Sequence, residues 1–160
     1  MRRSRKYRLG AAAIFAPLAI AAGGGFGPID ASEATHENAA DQAAFNTVCG
    51  ACHPASAVNG LRTKPEWRET VEHMISIGAK GTDEQFERVM RVLERTLTKV
   101  NVNTATAEEI APVLDVSDAT AQTIVRYRTE HGNFKTITDL KKVPGLDTTK
   151  VETRRDRIIF

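Results

Sequence analysis

Thr136-Ile137-Thr138-Asp139-Leu140-Lys141-Lys142-Val143-Pro144-Gly145-Leu146-Asp147 reads as a short capped helix, a tight apolar turn and the opening of a second helix. Thr136-x-x-Asp139 supplies the cap, a hydroxyl and a carboxylate at the spacing that satisfies helix N-terminal amides. The same unit stands 30 residues earlier. Ile110 matches Leu140, Val113 matches Val143, Asp115 matches Gly145, Val116 matches Leu146 and Ala121 matches Val151. Thr106-x-x-Glu109 opens the first copy, and Tyr127-Arg128-x3-Gly132-x-Phe134 ends it. Two copies of helix, turn and helix predict an all-α region over 100–160, with Val100 to Thr106 as a short linker into it.

This region resembles tandem helix-hairpin-helix motifs, and in particular the DNA-binding domain of the bacterial competence receptor of ComEA type. The residues carrying the resemblance run from Val100-Asn101-Val102-Asn103-Thr104-Ala105 through Glu109-Ile110, Ala121, Ile124 and Tyr127-Arg128. They continue through Gly132-x-Phe134 and Asp139-Leu140-x-x-Val143-Pro144-Gly145-Leu146 to Ile158-x-Phe160. In that family the hairpin turn lets backbone amides approach a phosphate of double-stranded DNA, with Lys and Arg nearby and no base read. The resemblance implies amide contacts at Gly145 and Leu146, flanked by Lys141, Lys142, Lys150, Arg154 and Arg155. The pattern departs from the family where Asp147 replaces a glycine and where the first copy carries Asp115 and Asp118. Residues 135–160 hold seven basic and four acidic side chains, whereas 100–134 hold two and five, so only the second copy is electropositive. Docking of a protein partner is the alternative use of the same scaffold.

Upstream lies Cys49-Gly50-Ala51-Cys52-His53, the C-x-x-C-H arrangement of c-type haem attachment. On one turn two thiols can reach two vinyl groups while the next residue faces the iron, so one covalent haem c is expected, with His53 as axial ligand. A redox C-x-x-C needs a βαβ context, and a zinc site needs two further ligands; with two cysteines in the chain no other metal is expected. An Ala-rich helical stretch, Asn38 to Val48, leads into the motif and resembles the first helix of small c-type cytochromes.

Helical spacing selects the second axial ligand from His36, His73, Met74, Met90 and His131. After Pro65, Trp67, Val71 and Met74 form one apolar stripe, with His73 a step aside. Met90 belongs to a second stripe, Phe86, Val89, Met90, Leu93 and Leu97, on a helix from about Asp83 to Thr98. The run Trp67-x3-Val71-x2-Met74-x3-Gly78 is similar to monohaem domains related to the haem-binding domain of quinohaemoprotein amine dehydrogenases, which supports Met74. His73 or an open sixth position remain the alternatives. A His/Met pair suits one-electron exchange with redox partner proteins; no distal Arg/His pair is recognisable, so a carrier is expected rather than an enzyme. A haem sensor or peroxidase would require the open site.

The first eight residues carry five basic side chains, and Gly10 to Ala22 is apolar and small, a secretory leader over 1–31 or an uncleaved anchor. Export to the periplasm or outside the cell follows as an expectation. Setting those five aside turns the formal +2 of the 160-residue chain into −3. The expected organisation is therefore a leader, a monohaem domain over 36–98 and a tandem helix-hairpin-helix domain over 100–160, all-α throughout. At about 60 residues the middle domain is marginal without an apolar cofactor in its core.

Overall fold

The computed structural model describes residues 31–160, with side chains described from 36 onward; the expected leader, apart from its last residue, lies outside the described residues. The chain is mostly helical. It runs α1 (Ala31–Cys49), β1 (Arg62–Thr63), α2 (Lys64–Ser76), α3 (Asp83–Leu97), β2 (Thr98–Asn101), α4 (Ala107–Leu114), α5 (Asp118–His131), α6 (Ile137–Leu140), α7 (Thr148–Thr153) and β3 (Ile158–Ile159). Helix starts follow local capping chemistry. Thr63 with Glu66, Thr82 with Gln85, Thr106 with Glu109 and Thr136 with Asp139 each form a reciprocal box, satisfying amides that the first helical turn leaves unpaired.

Two apolar cores result. Phe45, Val48, Trp67, Val89, Val92 and Leu93 close the N-terminal one between α1, α2 and α3. The other is built by the repeat: Ile110 and Leu140, Val113 and Val143, and Ala121 and Val151 are all buried, each pair 30 residues apart. Asp115 and Gly145 both take the left-handed conformation, at φ 55° and 76°. Asp115 thus keeps the turn geometry that glycine gives the second copy, which a short polar side chain tolerates better than a branched one.

The first two residues of the stretch expected as a linker, Val100 and Asn101, instead belong to the central strand of a small sheet. β2 pairs in parallel with β1 (Arg62 opposite Thr98) and with β3 (Val100 opposite Ile158). Alternate residues Thr98 and Val100 are buried, the two-residue period of a strand, and Val102 beyond it is fully buried. Its edge partners lie far from it in sequence on either side, so no local signal announces it.

Two arginine clusters lock the helices. Asp41 on α1 is 1% exposed and accepts from Arg91 (2.8 Å), Arg95 (2.9 Å) and Arg88 (3.4 Å) on α3. Burial alone would raise the Asp41 carboxyl, but hydrogen bonds from Arg91 and Arg95 outweigh it and hold the group below its ordinary value. Arg157, just before β3, is buried and donates to the carbonyls of Thr98 (2.8 Å), Arg95 (2.6 Å) and Glu94 (2.6 Å). It thereby caps the C-terminus of α3, and burial, with the charge of Arg154 beside it, pushes its own pKa down to about 10.

Candidate functional site

α1 ends on Cys49, and the turn that follows puts Cys52 and His53 at the mouth of a cavity of about 410 Å³. Cys49, Cys52, His53 and Met74 all line it, against an apolar wall that includes Trp67 and Leu93. The volume falls in the range of small-molecule and cofactor sites, and the lining is largely apolar, as such sites require.

The donor chemistry fits a haem. The cysteines are not joined to each other, and burial pushes the Cys49 thiol above its ordinary value. A reactive redox cysteine would be shifted the other way. His53 Nδ1 stands 3.1 Å from the Pro54 carbonyl. A carbonyl only accepts, so Nδ1 is the donor in this contact and Nε2 is the ring nitrogen left for another partner, the arrangement a metal-ligating imidazole uses. α2 places Trp67, Val71 and Met74 along one side of the cavity. Of the five sixth-ligand candidates Met74 alone lines this cavity: His73 is exposed, Met90 packs on the far side of Phe86, and His131 stacks on Tyr127 at 4.1 Å in the other module. His36 is exposed on α1.

One wall residue escaped the sequence reading. Arg62 lies 4.6 Å over the Trp67 ring, and the Trp67 indole donates to the Leu97 carbonyl at 3.0 Å. Only the pairing of β1 with β2 brings Arg62 to the wall, and no periodicity points to it.

The second surface lies around the turn of the second repeat. Gly145 is exposed and its space is open, whereas Leu146 is buried beneath it. Asp147 caps α7, accepting from the amides of Thr149 (2.8 Å) and Lys150 (3.3 Å), so a carboxylate of the chain already occupies those donors. The basic residues expected to surround the turn are mostly engaged as well. Lys141 pairs with Glu152, and Lys142 pairs with Asp139 at 2.8 Å, an interaction that holds the Asp139 carboxyl down at about 2. Lys150 reaches Asp115 of the first repeat at 3.1 Å and also bonds its carbonyl at 2.6 Å. Arg154 turns inward, donating to the carbonyls of Val113 and Arg95 and lying 3.5 Å from Asp115. Arg155 is exposed and forms no ion pair among the described residues.

Residues 96–159 match the helix-hairpin-helix motif family. An uncharacterized protein of Haemophilus influenzae is 46% identical over 63 residues, covering 39% of this chain and 56% of that protein. ComE operon protein 1 of Bacillus subtilis is 41% identical over 59 residues, 37% of this chain and 29% of the relative. The human endonuclease/exonuclease/phosphatase family domain-containing protein 1 is 44% identical over 54 residues, 34% of this chain and 10% of the relative. The chain thus spans about half or less of the length of these curated relatives. No solved structure matches. The C-terminal part of the chain is a helix-hairpin-helix domain.

Proposed function

We propose that this protein is an exported one-electron carrier that holds one covalent haem c and attaches through its helix-hairpin-helix domain to double-stranded DNA. The observation that carries the haem reading is the convergence of Cys49, Cys52, His53 and Met74 on one apolar cavity. Cys49 and Cys52 would hold the group as thioethers and His53 and Met74 would ligate its iron; a haem so bound supplies one-electron exchange at a raised potential. His53 is oriented by Pro54, Met74 is carried on the α2 stripe, and Trp67 and Leu93 keep water from the interior. Expression in a periplasm equipped for c-type maturation tests this. The expected product carries one haem that denaturation does not release and shows a low-spin spectrum. Alkylation of both cysteines in the fully matured protein would refute the reading.

The DNA reading is supported by the matched domain, by the resemblance to the competence receptor, and by the exposure of Lys142, Gly145 and Arg155 within the second repeat. Binding through backbone phosphates is indifferent to sequence and weakens steeply with salt. A titration of the holoprotein against two unrelated duplexes should give equal affinities that fall together as salt rises. The runner-up, docking of a protein partner, draws support from the pairing of Lys141 with Glu152 and of Lys150 with Asp115, which removes charge from the surface. Failure to bind duplex even at low salt decides for docking.

A further inference from the structure

Among the described residues, Arg62 is the one permanently charged side chain on the cavity wall. Pairing of β1 with β2 fixes its backbone, the Trp67 ring lies under its guanidinium, and one N–H donates to the Asn59 carbonyl at 3.0 Å. Among the described residues it makes no ion pair. The charged groups around it have nearer partners, although after the hydrogen bonds from Thr63 the charges of Lys99 and Arg62 also help hold the Glu66 carboxyl below its ordinary value. Glu66 on α2 accepts from the amide and hydroxyl of Thr63, and Lys64 pairs with Glu94 of α3 at 3.0 Å. Lys99 on β2 adds only positive charge, and His53 across the cavity is oriented by Pro54.

A guanidinium offers five donors in a planar fork, and Arg62 uses one of them within the protein. Charge on an apolar wall is costly unless it is paired, and this fork matches a carboxylate. Trp67 and Met74 are seven residues apart, about 10 Å along α2, so the cationic end of the cavity is well separated from the thioether ligand. We propose that Arg62 anchors a carboxylate of the group that fills this cavity, which is a propionate on the haem reading on which this inference rests.

The test is the reduction potential of the mature protein against pH, with covalent haem content measured separately by mass. In the wild type Arg62 keeps the carboxylate ionised, so the potential is expected to be flat between pH 5 and 8. In Arg62→Gln the carboxylate regains a proton in that range. Its ionisation as pH rises favours oxidised iron, so the potential should slope downward and lie below the wild type at pH 8. A haem-loaded Arg62→Gln with the same flat profile overturns the proposal and leaves the haem reading intact. A sloping wild-type profile overturns it equally, and decides the matter if Arg62→Gln fails to mature. A wild-type protein of full mass without haem overturns both.

Discussion

Asp115 ties the first repeat to the basic helix of the second, and Asp115→Asn removes that tie without altering side-chain size. Its carboxylate lies 3.1 Å from Lys150 and 3.5 Å from Arg154, with side-chain exposures of 60%, 43% and 25% for Asp115, Lys150 and Arg154. Ion pairs this open to water contribute about 0.2–1 kcal/mol each, so the substitution costs at most about 2 kcal/mol of stability. The fold should survive, because Lys150 still bonds the residue-115 carbonyl and Arg154 still bonds those of Val113 and Arg95. On the DNA side two cations lose their internal counter-ion. If both then neutralise a phosphate, the slope of log K against log salt steepens by about 1.8. Between 50 and 200 mM salt that slope adds about a twelvefold further loss of affinity, with tighter binding than wild type at the low end. Fluorescence anisotropy of a labelled duplex over that salt series reads both quantities, with thermal unfolding as the control. Asp115→Gly should behave alike, since φ 55° suits glycine. A folded Asp115→Asn protein whose slope stays within about 0.5 of the wild type refutes the idea that Asp115 competes with phosphate.

Neutralising Lys142 or Arg155 to Gln should act oppositely, reducing the salt slope by about 0.9 each and weakening all duplexes alike in the same anisotropy assay. Met74→Ala should turn the oxidised holoprotein high-spin and open it to added imidazole, whereas His73→Ala should leave the spectrum unchanged; the reverse pattern would reassign the ligand. Asp41→Asn leaves Arg91 and Arg95 without their buried partner. Because those arginines are partly exposed, the loss should be about 2–3 kcal/mol by denaturant titration, below the ~3–5 kcal/mol of a fully buried pair. Its pH dependence has a definite sign. The Asp41 pKa is depressed on folding, so its contribution is complete above the unfolded value near 3.8 and is lost as pH falls through the lower folded value. Acid unfolding of Asp41→Asn should accordingly begin from a lower plateau and show a shallower loss below about pH 4.

The repeat was legible because its determinants are local. Thr136 and Asp139 stand three residues apart and cap a four-residue helix, and Gly145 marks a turn by its own backbone freedom. That Met74 and not His73 lines the cavity follows from an equally local rule, since helical period separates the two. β2 was not: Thr98 reads as the end of a helix and Val100 and Asn101 as the start of a linker, and the partners that make Thr98–Asn101 a strand lie some 36 residues before it and 58 after it. The basic surface was overestimated on similar grounds. Lys142 and Asp139 are near neighbours, but Lys150 finds Asp115 from 35 residues away, and Arg154 reaches back 59 residues to the Arg95 carbonyl. Charge counted along a chain cannot register such pairings.

Arg157 gives the molecule a mechanical property that neither half would have alone. Two carbonyls at the end of α3 and that of Thr98, which opens β2, converge on one side chain from the C-terminal end of the chain's second half, and β2 lies between strands contributed by both halves. The two halves are therefore splined together rather than strung on a tether. Excision at residue 99 would strip each fragment of part of its own scaffold, and rotation of the cavity relative to the Gly145 turn would require unzipping the sheet. The cavity is thus held at one bearing to the Gly145 turn, and the distance between them is a constant of the fold rather than an average over a flexible leash.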